Sequence, residues 1–299
     1  MSAVPPGDGG AVAGIPVCPR HPDRESYVRC QRCERPVCPE CQRVAAVGVQ
    51  CVDCVRQQSK SGRTARTVFG GQAGVAAPRV TQAIIALCVG AYFLEWTIGA
   101  PFIVRFVYAP YFTVAEPWRM ITSAFLHSPP QNSSGALLHI LFNMYAVWLI
   151  GPYLERLLGP ARFAALYLIS AFGGSVGLFL LANPDSASSW RTAALGASGG
   201  VFGLFAALVL VNRRLGRDSA GIVGVIVING VLGFMPGLNI AWQAHLGGLV
   251  TGGLVAAVLV YAPQERRALL HLLGLVAVAV LLLALTLIKV ALVPADAFV

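Results

Sequence analysis

Seven apolar runs constrain this chain more than any other feature: residues 80–99, 136–154, 161–182, 197–212, 219–235, 242–261 and 268–293. Each is near or slightly short of the roughly 20 residues that cross a bilayer as helix. The composition agrees. The chain is 56% hydrophobic and 12% charged, whereas a soluble domain carries about 25% charged residues. The expected fold is an all-α polytopic membrane protein.

The charges are uneven. Residues 1–80 hold 11 of the 22 Lys and Arg and 6 of the 13 Asp and Glu, which marks a polar module ahead of the membrane domain. No apolar stretch stands behind a basic start in the first 30 residues, so no cleavable signal peptide is expected. The predicted division is a Gly/Ala/Pro-rich leader at 1–15, a metal-binding module at 16–58, a basic linker at 59–78 and a six-helix membrane core at 79–262. An extra seventh helix and tail follow at 263–299. Basic residues gather on one side of the predicted spans. Arg156, Arg162, Arg213, Arg214, Arg217, Arg266 and Arg267 share it, against Arg105, Arg119, Arg191 and Lys289 on the other. That asymmetry predicts a cytoplasmic N-terminus and an extracytoplasmic C-terminus. Basic residues beside membrane spans are expected without any nucleic acid, so the net charge of +9 is not read as a nucleic-acid signal and no nucleic-acid partner is expected.

Seven of the eight cysteines lie between Cys18 and Cys54. With one histidine they form four pairs at two-residue spacing: Cys18 and His21, Cys30 and Cys33, Cys38 and Cys41, Cys51 and Cys54. Eight ligands suit two tetrahedral zinc ions with none left over, while a disulfide set would leave the seventh cysteine unmatched. Only Tyr27, Val28, Val37, Val44 and Val49 are available as a core, so the metal would be the fold. Every coordination position is filled by protein, which makes the ions structural. The module is expected to bind a cytoplasmic protein partner rather than to catalyse. The pattern resembles a B-box-type zinc finger, whose pairs interleave. That resemblance implies Cys18, His21, Cys38 and Cys41 on one ion and Cys30, Cys33, Cys51 and Cys54 on the other; the spacing alone permits a sequential pairing as well.

In the membrane domain, Ser198 stands between glycines at the mouth of the fourth span, and His245 lies near the start of the sixth. The predicted topology brings both starts to the outer side, with Ser198 and His245 each about 5–10 Å below the interface at 1.5 Å per residue. A serine hydroxyl and a neutral imidazole at one depth can serve as nucleophile and base. No carboxylate is placed beside His245, so a dyad is expected rather than a triad. His139 and Asn143, four residues apart on the second span, share a helix face. Both should point into the bundle, where their N–H groups could stabilise an oxyanion.

Gly196-Ala197-Ser198-Gly199, Ala244-His245-Leu246-Gly247-Gly248, His139-x3-Asn143 and Trp118-Arg119 together resemble the rhomboid family of intramembrane serine proteases, over about Glu116 to Gly253. The resemblance implies a six-helix core with a water-accessible cavity open to the outer side. It implies Ser198 as nucleophile, His245 as base, and His139 and Asn143 as oxyanion donors. It further implies close approach of the fourth and sixth helices through Gly248-x3-Gly252. Trp118 and Arg119 would belong to an outer loop that braces the core. Two features depart from the pattern. The loop Ser128–Gly135 sets His127 twelve positions before His139, and Phe202 stands where a tyrosine is common.

The expected function is cleavage of membrane-anchored proteins near the outer edge of their spanning helix, by a multi-pass enzyme of the plasma membrane in contact with lipid. A non-catalytic alternative is a protein that binds membrane clients and uses the zinc module as a cytoplasmic adaptor. A small-solute transporter is disfavoured, because the spans lack paired charges and internal repeats.

Overall fold

The computed structural model describes residues 14–61, 67–71, 77–129, 136–235 and 240–298. It divides into two compact units, one ending at Thr64 and the other beginning at Ala65.

The first unit holds two small antiparallel pairs. Strand β1 (Val17–Cys18) pairs with β2 (His21–Glu25), and β3 (Gln42–Val44) with β4 (Val49–Cys51) in the register Arg43 opposite Gln50. Helix α1 (Val52–Ser61) follows directly and carries Cys54 in its first turn. Of the apolar residues expected to form a core, Val37 is buried, whereas Val44 is 95% and Tyr27 72% exposed. Apart from Val37, the buried apolar interior consists of cysteines. The expected linker at 59–78 is also partly structured, since α1 runs to Ser61.

The second unit contains α2 (Arg79–Ile98), α3 (Ala100–Phe106), α4 (Arg119–Thr122), α5 (Ala136–Leu158), α6 (Pro160–Leu181) and α7 (Ala187–Trp190). Helices α8 (Ser198–Arg214), α9 (Ala220–Gly233), α10 (Trp242–Tyr261) and α11 (Arg267–Leu292) complete it. Seven of these lie over the seven apolar runs. Five are long and apolar enough to cross a membrane, α11 together with its preceding turn; α8 and α9 have 17 and 14 residues. At 1.5 Å per residue α8 is about 26 Å long, less than a hydrocarbon core of about 30 Å. With Arg213 and Arg214 in its last turn, where cations complement the helix dipole, its first residue falls short of the opposite interface. That residue is Ser198. The chain is a multi-pass membrane protein, and its exposed Phe142, Trp148 and Leu287 are lipid-facing in that setting.

Helix α6 is the most enclosed span and α11 the least. Between lipid-soluble helices, hydrophobicity gives no preference for protein over lipid, so small residues and polar links decide the packing. A Cβ on Gly248 would meet the backbone carbonyl of Gly199, and one on Gly252 the backbone of Gly203. Helices α8 and α10 therefore touch main chain to main chain. Polar links secure the ends. The Glu155 carboxylate of α5 accepts the Val80 and Thr81 N–H groups (3.0 and 2.8 Å) and the Thr81 hydroxyl (2.8 Å), filling donors that the start of α2 leaves open. Thr67 and Gly71 donate to the Leu157 carbonyl at the end of α5, and Phe69 between them is buried. Lys289 of α11 donates to the carbonyls of Phe179, Leu180 and Ala182 at the end of α6.

Candidate functional site

The approach to Ser198 is set by its neighbours. Tyr108 and Ala194 exchange backbone hydrogen bonds, and Gly196 N–H donates to the Ser123 carbonyl at 3.0 Å. Gly196 has φ +130°, in the region that favours glycine. A Cβ there would meet His139 Nε2 at 2.8 Å, and Ser198 Oγ lies 3.7 Å from the same point. The imidazole of His139 and the hydroxyl of Ser198 thus converge on the bare face of Gly196. Any larger residue at this position would part them.

His245 reaches the same end of α8 by a different contact. Its ring stacks on Phe202, with centroids 4.3 Å apart and planes 16° from parallel. Phe202 is one helical turn after Ser198, on the same face of α8. Gly248, one turn after His245, sits on the Gly199 carbonyl. Among the described residues, His245 Nδ1 is buried without a hydrogen-bond partner. Among the described residues, Ser198 and His245 share no direct hydrogen bond.

Asn143 is buried and donates from Nδ2 to the His139 carbonyl at 2.9 Å, one turn back on α5. One amide hydrogen of that group remains for another acceptor. The segment between α3 and α4 is knotted by Arg119, which is 3% exposed. It donates to Glu116 Oε2 (2.9 Å) and to the carbonyls of Val104 and Val107, and it lies 3.8 Å over the Phe112 ring. Arg105 adds a second ion pair to Glu116 at 2.7 Å and lies over Trp118. The hydrogen bond from Arg119 holds the Glu116 carboxyl below the usual carboxylate range. Arg119 is a buried organiser of the loop rather than a snorkelling surface cation.

Two residues gained importance that sequence reasoning did not give them. His127 is fully buried, its ring 5.1 Å from that of His139, and neither ring nitrogen has a partner among the described residues. Its backbone N–H donates to both oxygens of Glu95 of α2, at 2.9 and 3.1 Å. The available signal was Glu95 itself, an ionisable residue inside an apolar span. Residues 130–135 of the loop after His127 lie outside the described residues.

In the N-terminal unit the cysteines are free thiols. Cys18, His21, Cys38 and Cys41 form one cluster and Cys30, Cys33, Cys51 and Cys54 the other, with ligand atoms within 4.8 Å of one another in each. The pairs interleave. His21 Nδ1 lies 3.3 Å from Cys38 Sγ and 3.5 Å from Cys41 Sγ, and the Cys33 and Cys51 sulfurs are 3.8 Å apart. Burial pushes the Cys18 and Cys30 thiols up, but hydrogen bonds to backbone, those to Cys38 and Arg20 and to Cys51, Arg32 and Cys33, outweigh it. Both thiols fall to about 6. Thiolates are the metal-binding form, and donor sets of Cys₃His and Cys₄ suit structural zinc.

Comparison with known proteins separates the two units. A protein of Bacillus subtilis named "Putative rhomboid protease YdcA" is 33% identical over 156 residues, 51% of this chain and 71% of that protein. The chain belongs to the rhomboid family. The family's Rhomboid domain matches residues 114–262, which include Arg119, His139, Asn143, Ser198 and His245. Rhomboid protease GluP of Bacillus subtilis is 35% identical over 149 residues, 48% of this chain but 26% of that protein. Rhomboid protease GlpG of Yersinia pseudotuberculosis is 28% identical over 185 residues, 59% of this chain and 61% of that protein. The chain thus spans less than two thirds of GluP and of GlpG. The B-box zinc finger family matches residues 14–46, a range that holds six of the eight clustered ligands and stops before Cys51 and Cys54. Both resemblances drawn from the sequence hold. Within this rhomboid-family chain, α2 and α11 fall outside the matched domain.

Proposed function

We propose that this rhomboid-family protein is an intramembrane serine endopeptidase in which Ser198 is the nucleophile and His245 the general base. The observation that carries this reading is the convergence of Ser198 and His139 on Gly196 at the start of α8, beside the helical turn on which His245 stacks. Ser198 and His139 share the face of Gly196, and His245 is held by Phe202 one turn on. In the proposed reaction Ser198 Oγ attacks the scissile carbonyl and His245 takes its proton. Oxyanion donors are the Ser198 N–H, which as first residue of the helix has no intrahelical partner, the His139 ring and the free Asn143 amide hydrogen. His245 then protonates the leaving amine, and a water deprotonated by His245 hydrolyses the acyl-enzyme. Phe202 orients the imidazole without a carboxylate.

The substrates are transmembrane segments of membrane-anchored proteins, cut near the outer interface. A helix hides its carbonyls, so segments with Gly or other weak helix formers there are preferred. The chain sits in the plasma membrane with its N-terminus cytoplasmic and its C-terminus outside. The N-terminal unit holds two structural zinc ions, one per cluster, and recruits a cytoplasmic partner. The domain limits are those given above, with α1 carrying the zinc unit to Ser61.

Cleavage of a single-span model substrate by purified protein tests the proposal. Wild type is expected to release two product peptides, and Ser198→Ala and His245→Ala to lose that activity by orders of magnitude. Equal cleavage by wild type and Ser198→Ala would refute it. Client binding without products, unchanged in both variants, would favour the non-catalytic adaptor.

A further inference from the structure

A cavity lies between α5, α8 and α9, on the half of the bundle away from Ser198. Its volume is about 420 Å³, inside the range of about 300–1,000 Å³ typical of small-molecule sites. The α8 residues that line it, Phe205 to Asn212, are seven to fourteen positions beyond Ser198, roughly 10–21 Å along the helix. Helix α9, which forms one wall of the cleft, has no buried residue.

Its chemistry is divided along its length. Phe205, Ile222 and Val225 make an apolar wall, while Tyr153, Arg217 and Asp218 stand at the end where α8 turns into α9. Arg217 Nη1 donates to the Tyr153 hydroxyl at 2.7 Å, with its guanidinium 5.8 Å from that ring. This bond ties the cation to α5 across the mouth. The one acid there is already engaged: the Asp218 carboxylate accepts the Ala220 N–H at 3.2 and 3.3 Å, at the start of α9. Arg213 and Arg214 end α8 just before that turn, exposed like Arg217. The positive-inside rule explains basic residues at this interface. It does not explain an apolar slot that ends at one of them.

We propose that this cleft binds an anionic phospholipid of the adjoining leaflet, with an acyl chain along Phe205, Ile222 and Val225 and its phosphate on Arg217. A guanidinium offers a planar fork of donors that matches phosphate, and basic pockets between membrane helices at this level receive anionic headgroups. A transmembrane peptide would fill the apolar wall and leave Arg217 without an anion. The site is independent of the chemistry at Ser198, so failure of either reading leaves the other standing.

Native mass spectrometry of the full-length protein, released from nanodiscs of phosphatidylglycerol or phosphatidylcholine, tests this. One phosphatidylglycerol per chain is expected to survive release, and no phosphatidylcholine. Arg217→Gln should lower that occupancy about tenfold or more, the loss expected for a charge-assisted hydrogen bond. Ile222→Trp should lower it similarly by filling the slot, and melting in detergent would verify that each variant is folded. The double variant Arg213→Gln, Arg214→Gln should change it less than about twofold, a surface-substitution effect. Equal retention of both lipids, or equal loss in the double variant, would reduce the site to general surface charge and overturn the proposal. Loss in Ile222→Trp with none in Arg217→Gln, or displacement of the lipid by a single-span peptide, would overturn it as well.

Discussion

In the N-terminal unit, six of the seven buried core residues are cysteines of the two clusters, and the seventh is Val37. In the membrane unit, the interior is closed by glycine backbones pressed together and by carboxylate and ammonium groups that cap helix ends. Neither unit relies on the water-driven burial that stabilises a soluble domain. The first has too little apolar surface to bury, and the second has apolar surroundings on every lipid-facing side. Directional bonds replace burial in one and steric fit replaces it in the other. The two units should therefore fail under different insults.

Metal removal should separate them most widely. Structural zinc binding contributes about 10–16 kcal/mol in small fingers at neutral pH, so chelation should unfold residues 16–61 entirely. Hydrogen exchange on the purified chain, with zinc counted in parallel, would check this; protection should vanish there and persist in α6, α8 and α10. Two zinc ions per chain are expected before chelation.

A steric change should do the reverse. Gly248→Leu places a side chain into the Gly199 carbonyl, and overpacking of this kind costs about 1–3 kcal/mol or more. The melting transition of the membrane unit should fall and Ser198 should lose reactivity, with zinc content unchanged. Unaltered melting would mean that α8 and α10 are not in backbone contact.

An intermediate effect is expected from Arg119→Gln, which removes hydrogen bonds to a charged partner worth about 1.5–3 kcal/mol. The same loop gives the unit an acid limb. The Glu116 carboxyl is depressed by the Arg119 hydrogen bond, so its contribution is present above its unfolded value and lost as pH falls through its folded one. The melting temperature should be level from about pH 5 to 8 and drop below the ordinary carboxylate range. Arg119→Gln should flatten that drop, as monitored by melting across pH.

Smallest is the ring that holds His245. Phe202→Leu removes an aromatic pair worth about 0.5–1.5 kcal/mol, or roughly a two- to tenfold loss in kcat. Phe202→Tyr keeps the stack and should change kcat less than about twofold. A reduction in KM alone, in either variant, would show that the ring does not orient the base.

Much of this was legible in the sequence because the signals were local. The C-x2-C pairs announced a metal module, and four short motifs announced the family. Long-range features were not legible. Nothing in the spacing told that Glu95 would accept from the His127 backbone, thirty-two positions away, or that Val28 and Val44 would lie outside the finger's core. Those outcomes depend on where the chain crosses itself.

The central claim is that Ser198 is activated by His245. Labelling of the full-length protein with a fluorophosphonate probe, followed by mapping of the modified residue, tests it without any knowledge of the substrate. Covalent modification of Ser198 in wild type, lost in His245→Ala while the variant still melts cooperatively, is the predicted result. Labelling that persists in folded His245→Ala, or that never reaches Ser198 in wild type, would contradict it.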